Sequence, residues 1–265
     1  MTDSSLASKI RAVNQFATDM QTPGMDPRFR VELLEATPHP QQCIYAALHQ
    51  DYSEGYVFDD RANWPEESRA GEIIVKRLLA GDRAHYGPLE HGQIVLNVGW
   101  FPHSVMQQAR THRVGVSFDC QSLRYTGERI ACVARGCRDL EEVFYLRPVG
   151  YYTDRQGKKY FYSPAQREVD WDLCLAAAKR YSDMMDLGFA EEHARSILPF
   201  DVRQHFVVSF SLRAFLHFLD LRAKLDAQLE IRQLCELMWP HLQAWAPEIA
   251  AWYHQHRWAK ARLAP

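Results

Sequence analysis

Residues 199–222 read PFDVRQHFVVSFSLRAFLHFLDLR, and how this stretch is placed decides the fold. It is apolar almost throughout, broken by only a few polar positions. Read as one helix, it would be buried on all sides. Its central part, 206–221, would then need cover from another subunit as well as from its own core. Arg213, His217 and Arg222 stand in this apolar setting, with Arg195 shortly upstream. Burying an unpaired guanidinium costs several kcal/mol, on the order of breaking a buried ion pair. Each of these groups therefore needs a carboxylate or a ligand. Arg213 and His217 are four apart and share a helix face, while Arg222, nine beyond Arg213, falls about half a turn away. Arg222 thus serves a different group, or the helix breaks near Asp220. Internal ion pairs with Asp220 or Asp226 are the competing reading.

Outward from this stretch, the period of the apolar residues changes several times. Ahead of it, 165–187 and 189–198 read as helices separated by Gly188, a C-cap candidate. Behind it, 223–238 and 245–258 continue as helices, split by Pro240 and Pro247. Phe144–Tyr162 is rich in Tyr and carries a turn at Asp154–Gly157, which signals a hairpin. In His91–Trp100, Ile94, Leu96, Val98 and Trp100 alternate as in a strand. Pro102 then opens a helix of about three turns that ends near Arg113. VGVSFDCQSLRYTGERI, 114–130, reads as an irregular loop. Pro65–Ala80 opens with Pro and acidic residues, as helices do. Residues 41–54 allow a helical turn or two. Residues 1–40 read as a loosely ordered arm with one short helix near Arg28–Ala36. The expected fold is α+β: an antiparallel sheet packed with helices and a helical C-terminal third. No clean boundary divides it, so 1–265 reads as a single domain.

Composition excludes several classes. The chain has 265 residues, 47% hydrophobic and 24% charged, enough for a sizeable core. Its net charge is -2, which speaks against bulk nucleic-acid binding. The basic residues are 24 Arg and 7 Lys, and the planar fork of Arg suits phosphate and carboxylate oxygens. That leaves room for Arg aimed at one small anion. No apolar run approaches ~20 residues, so no membrane helix is expected. Met1–Gln21 lacks the apolar core of a signal peptide. The six cysteines are too sparse for a disulfide scaffold. Cys132 and Cys137 are the only close pair, and their spacing matches no strong zinc pattern, so no metal is expected. A cytoplasmic protein with reduced thiols is the default.

Two further clusters carry chemistry. Gln107, Gln108, Arg110, His112 and Arg113 gather at the end of the helix that opens at Pro102. Arg110 and Arg113 share a face, as do Gln108 and His112. Like charges side by side are costly unless an anion lies between them, although an exposed basic helix end explains them equally well. Ser117, Ser122, Arg124 and Arg129 follow in the loop, where Ser hydroxyls, backbone N–H groups and Arg can cradle a phosphate. Ordinary turn chemistry is the alternative. No glycine-rich nucleotide loop is present. Cys120 lacks the context of a Cys–His pair, and Ser122 lacks a His–Asp partner. A solvated helix end explains His254 and His256 better than metal binding.

Taken in order, GPLEHGQIVLNV, QQARTHRVGVSFDCQSLRYTGERI, ARSILPF and SLRAFLHFLDLRAKLDAQLEI resemble the flavin-dependent thymidylate synthases from about Gly87 to Ile231. The family's Arg-His-Arg triplet, spaced Ser and Arg-Tyr correspond to Thr111, His112, Arg113, Ser122, Arg124 and Tyr125. Two departures stand out. Thr111 replaces the first Arg of the triplet; Arg110 one place earlier or a shifted backbone would supply the missing cation, the alternative being that Arg110 simply faces water. The spacer from Arg113 to Ser122 is eight residues, one more than usual. Cys120, with Asp119 adjacent, falls near the place of the usual loop Glu.

The resemblance implies reductive methylation of dUMP at C5. The carbon donor is 5,10-methylenetetrahydrofolate, FAD is reduced by NADPH, and no cysteine nucleophile takes part. It implies that Arg222 is catalytic, favouring the N3-ionised uracil. Gln108, Arg110, Thr111, Cys120, Gln121, Ser122, Leu123, Arg124, Arg195 and Arg222 would line dUMP. His91, Gln93, His112, Arg113, Ser211, Arg213 and His217 would line FAD, with Ser211 where the family often has Asn. It further implies a homotetramer whose sites draw on several subunits. Thr111 and the longer loop leave two alternatives: a related enzyme that hydroxymethylates dUMP or methylates UMP, and a non-catalytic nucleotide sensor.

Overall fold

The computed structural model describes residues 22–80, 85–154 and 156–260. The elements are β1 (Arg30–Ala36), α1 (Pro40–Gln50), α2 (Glu67–Ile74), β2 (Gln93–Pro102), α3 (His103–Ala109), β3 (Val116–Cys120), α4 (Glu128–Ala134), β4 (Gly150–Thr153) and β5 (Lys159–Tyr162). They continue with α5 (Pro164–Asp186), α6 (Glu191–Ala194), β6 (Arg203–Ser211), α7 (Leu212–Arg222), α8 (Leu229–Trp245) and α9 (Pro247–His256). A π-helical turn, Val75–Leu79, extends α2, and short 3-10 turns include Gly87–Glu90 and Arg195–Ile197. One sheet has the order β1-β2-β6-β3, and β4 pairs with β5 in a second. Strand β6 runs antiparallel to β2: Leu212 N–H bonds to Gly92 O at one end and His103 N–H to Val202 O at the other. The α+β class and the helical C-terminal third are as expected.

The stretch 199–222 is not one helix. It is strand β6 followed directly by α7. Along β6, Gln204, Phe206, Val208 and Phe210 are buried while His205, Val207 and Ser209 are half-exposed, a period of two. It is the burial that alternates along the strand, so a helix buried all round is not needed to explain its apolar content. Ser211 makes the switch: its hydroxyl accepts the Ala214 N–H at 3.2 Å and caps α7.

Four other expectations are corrected. Arg30–Ala36 is a strand, not a short helix, and the rest of the expected arm through Gln21 lies outside the described residues. Val116–Cys120 is strand β3 rather than loop; this five-residue strand at the end of the sheet order is mostly exposed, so it lacks an apolar run. Pro102 ends β2 rather than opening a helix, and α3 runs only from His103 to Ala109 instead of reaching Arg113. Pro240 lies inside α8 and does not end it. The hairpin is present, with Gly150 opposite Tyr162 and Thr153 opposite Lys159, although Arg155 in its turn lies outside the described residues.

The chain divides into two compact units. The first comprises the described part of Met1–Phe29 with Gly99–Gln107 and Cys120–His205. Its core is Ile130, Val133, Leu140, Val143, Phe144, Cys174, Ala178, Tyr181, Met184 and Val202. Helix α5 enters this core through a capping box between Ser163 and Gln166, with Pro164 at its first turn. Arg203 is fully buried there. Its guanidinium donates to Asp26 at 2.5 Å, to Trp100 O at 2.7 Å and to Glu141 O at 2.6 Å. The second unit holds Arg30–Val98, Gln108–Asp119 and the described part of Phe206–Pro265. Its buried residues include Ile44, Ile74, Leu96, Phe210, Phe215, Phe218, Met238 and Leu242.

Candidate active site

In the second unit, α7 carries Arg213, His217 and Arg222 at its two ends and middle. Arg213 and His217, one helical turn apart, line a cavity of about 230 Å³ with Glu90, Val114, Ser211 and Ala214. Arg213 is ion-paired to Glu90 at 2.6 Å. The backbone opposite this cap is close: Gly115 has φ +67° and a Cβ there would lie 2.6 Å from Ser211 Oγ. Ser211 N–H also bonds to Gly115 O at 2.8 Å. The hydroxyl expected on FAD is thus committed first to the helix cap.

Arg222, about half a turn from Arg213, serves a different group. Its Nε donates to His112 Nε2 at 3.0 Å, and its Nη2 donates to Gln108 O at 3.0 Å and to Thr111 Oγ1 at 2.9 Å. The Thr111 hydroxyl in turn donates to Gln108 O at 2.7 Å. Neither Asp220 nor Asp226 pairs with Arg222. Asp220 is buried and bonded instead to Arg257 at 2.7 Å and Tyr253 at 2.9 Å. Thr111, His112, Arg113, Val114, His217, Leu221 and Arg222 line a cavity of about 310 Å³.

His112 must be neutral at Nε2 to accept from a guanidinium. Burial pushes its pKa from 6.5 down to about 4, and the charge of Arg222 and nearby His217 act in the same direction. Its ring meets those of His217 at 5.4 Å and Phe218 at 5.0 Å. His217 is lowered as well, chiefly by burial. Gln108 is held through its side chain by Gln228 at 2.5 Å, and Gln228 by Glu230 at 2.8 Å.

Other expected residues are placed as follows. Arg113 is exposed beside the Arg222 cavity. Arg110 is exposed and lines neither cavity, so the neutral Thr111, not a substitute cation, occupies the place beside Arg222. His91 is exposed after the turn that carries Glu90, and Gln93 starts β2 with its side chain on Glu90 O at 3.1 Å. In the first unit, Cys120 is exposed and Gln121 N–H bonds to His205 O. Ser122 forms a turn, its carbonyl accepting from Tyr125 and Thr126. Leu123 packs against that unit's core. Arg124 pairs with exposed Glu192 at 3.5 Å, and Arg195 is half-buried in the turn after α6. Glu90, Val114, Gln228 and Glu230 were missed. Glu90 stood next to His91 in the quoted PLEH segment, and an acidic partner for Arg213 was the signal that could have found it.

These positions coincide with a known family. Residues 32–248 match the thymidylate synthase complementing protein family. The chain belongs to this family. A flavin-dependent thymidylate synthase from Haloarcula marismortui is 31% identical, covering 89% of this chain and 99% of that one. The Halobacterium salinarum enzyme of the same name is 31% identical over 89% of this chain and all of its own. A UMP/dUMP methylase, PolB from Streptomyces cacaoi, shares the fold with a TM-score of 0.66 at 20% identity, covering 89% of this chain and 97% of that chain. Within this thymidylate synthase family, the Arg222–His112–Thr111 cluster falls on the stretches whose resemblance was quoted above. Among the described residues no helix is long and apolar enough to cross a membrane.

Proposed function

We propose that this chain is a flavin-dependent thymidylate synthase that converts dUMP to dTMP, with 5,10-methylenetetrahydrofolate as carbon donor and NADPH as reductant. The observation that carries the reading is the posture of Arg222. A guanidinium has five N–H groups. His112, Gln108 O and Thr111 occupy three, so the two on Nη1 are left for a ligand in the adjoining cavity. Set against the uracil, they stabilise negative charge at N3 and O4, which enriches C5 as a nucleophile. No thiol is needed for that activation. The site walls hold Arg222 by its other edge, so little reorganisation is left for the moment of reaction.

Gln108, Arg110, Thr111, Cys120, Gln121, Ser122, Leu123, Arg124 and Arg195 are the remaining dUMP residues of the proposal, with Ser122, Arg124 and Arg195 at the phosphate. The sites are assembled from several subunits of a cytoplasmic homotetramer, each chain acting as one functional domain. Arg213 in its cavity, and Arg113 at the neighbouring Arg222 cavity, suit the phosphate oxygens of FAD, with His217, which lines both, and the narrow Gly115–Ser211 approach next to Arg213. His91, Gln93 and His112 complete the set assigned to it. FAD supplies the hydride chemistry when bound and reduced.

The purified protein, reconstituted with FAD, is expected to be yellow, to bleach with NADPH and to form dTMP from dUMP and methylenetetrahydrofolate. Mass spectrometry of the nucleotide reads the increment. A hydroxymethyl increment, or methylation of UMP in preference to dUMP, would replace this reading by a related C5 modification. Tight dUMP binding without turnover would mark a sensor instead.

A further inference from the structure

Cys132 and Cys137 take no part in the chemistry proposed above, yet the fold brings them together. Helix α4 ends in a Schellman turn. Cys137 N–H bonds to Cys132 O at 2.9 Å and Gly136 N–H to Val133 O at 3.1 Å. Gly136 holds φ at +73°, the left-handed conformation this turn requires. In such a turn the residue after the glycine packs its side chain on the residue five positions before it. Here both are cysteines. The Cys137 thiol donates to Cys132 O at 3.3 Å, which sets its side chain against the residue that carries the second thiol. Arg135 Nη2 lies 3.6 Å from Cys132 Sγ. Cys137 is exposed and Cys132 half-buried, so small reagents reach them. The Cys132 side chain, helped by Arg135, pulls the Cys137 thiol below its ordinary range. The Cys137 side chain pushes Cys132 up. Cys174 and Cys235 are buried, and burial pushes both thiols up.

We propose that Cys132 and Cys137 form a reversible intrachain disulfide, by exchange with a low-molecular-weight disulfide, that clamps the C-terminal end of α4. Cys137 is the attacking group because its thiolate is favoured. Its sulfur attacks one sulfur of the small disulfide, whose S–S bond breaks and releases one small thiolate. Cys132 then gives its proton to solvent and attacks Cys137 Sγ, releasing the second small thiolate. Two protein thiols are oxidised by two electrons, and the small disulfide is reduced to two thiols that take up the two protons. The clamp closes on the helix whose Arg129 donates to Arg203 O at 2.8 Å.

The test uses the full-length folded protein and glutathione disulfide, followed by alkylation and peptide mapping. The expected result is a mass lower by two hydrogen atoms, one cross-link joining Cys132 to Cys137, and full reversal by dithiothreitol. Cys132→Ser is expected to trap glutathione on Cys137, and Cys137→Ser to abolish the cross-link. Exposed Cys120 serves as an internal reference that accepts glutathione without pairing. Stable glutathione on both Cys132 and Cys137 of the unsubstituted chain, no cross-link at all, or a cross-link to another cysteine would each overturn the proposal. The cross-link is read by mass and peptide mapping alone, so its outcome is independent of the assigned activity.

Discussion

Arg222 is the residue through which the site speaks most directly. It donates to an imidazole nitrogen, a carbonyl and a hydroxyl, each in a different direction. The planar fork makes these bonds from Nε and Nη2 and keeps Nη1 over; an ammonium has only three donors, on one nitrogen, and would keep the charge but lose that second edge. Arg222→Ala is therefore expected to lower kcat about 100-fold or more and to weaken dUMP, and Arg222→Lys to recover little. Steady-state rates and titration with dUMP check this, and near-normal turnover in Arg222→Ala would refute the role. The resemblance pointed to Arg222 as the residue to which the catalytic role is here proposed. Its partners were only half legible: His112 stood in the motif, but Thr111 looked like a lost cation. The fold instead uses its hydroxyl as an acceptor, which no residue-type tally could reveal.

At the scale of elements, α7 is held at its far end by a buried carboxylate. Asp220 accepts from Tyr253 and, through both oxygens, from Arg257 of the segment after α9. Burial raises the Asp220 pKa, while Arg257 and Tyr253 oppose that rise. Removing the carboxylate takes its acceptor from a buried phenol and breaks the ion pair of a mostly buried guanidinium. Asp220→Ala is expected to cost about 3 kcal/mol, read as a shift in the urea midpoint at unchanged slope. A loss below about 0.5 kcal/mol would show that α7 does not depend on this anchor. The same segment explains the largest misreading from sequence. In FVVSFS the apolar residues both alternate and crowd, so a buried helix and a central strand read alike. Hydrogen bonding to neighbours on both sides decided for the strand, and the polar residue Ser211 marked where it ends.

For the molecule as a whole, acid stability follows from its histidines. Folding lowers the pKa of His112 to about 4, and lowers His205 and His217 too, each chiefly by burial. The unfolded chain, with histidines near 6.5, therefore binds more protons than the folded one as the pH drops. Their contribution is fully present above about pH 6.5 and is lost progressively toward pH 4. For His112 alone the loss amounts to a few kcal/mol at most. Thermal unfolding between pH 7 and pH 5 should show a falling Tm, and His112→Gln should flatten the fall. An equal slope in the variant would sink this account.

The sequence by itself determined the α+β class, the hairpin, most of the helices and the family. These rest on local periods, turn residues and ordered motifs, which neighbours in the chain are enough to specify. Tertiary structure alone decided that 203–211 is a strand, that Arg203 and not a motif residue is, among the described residues, the fully buried guanidinium, and that Glu90 answers Arg213. Each depends on partners far away in sequence. A buried charge is viable only where distant carboxylates and carbonyls converge on it, and that convergence exists only after the chain has folded.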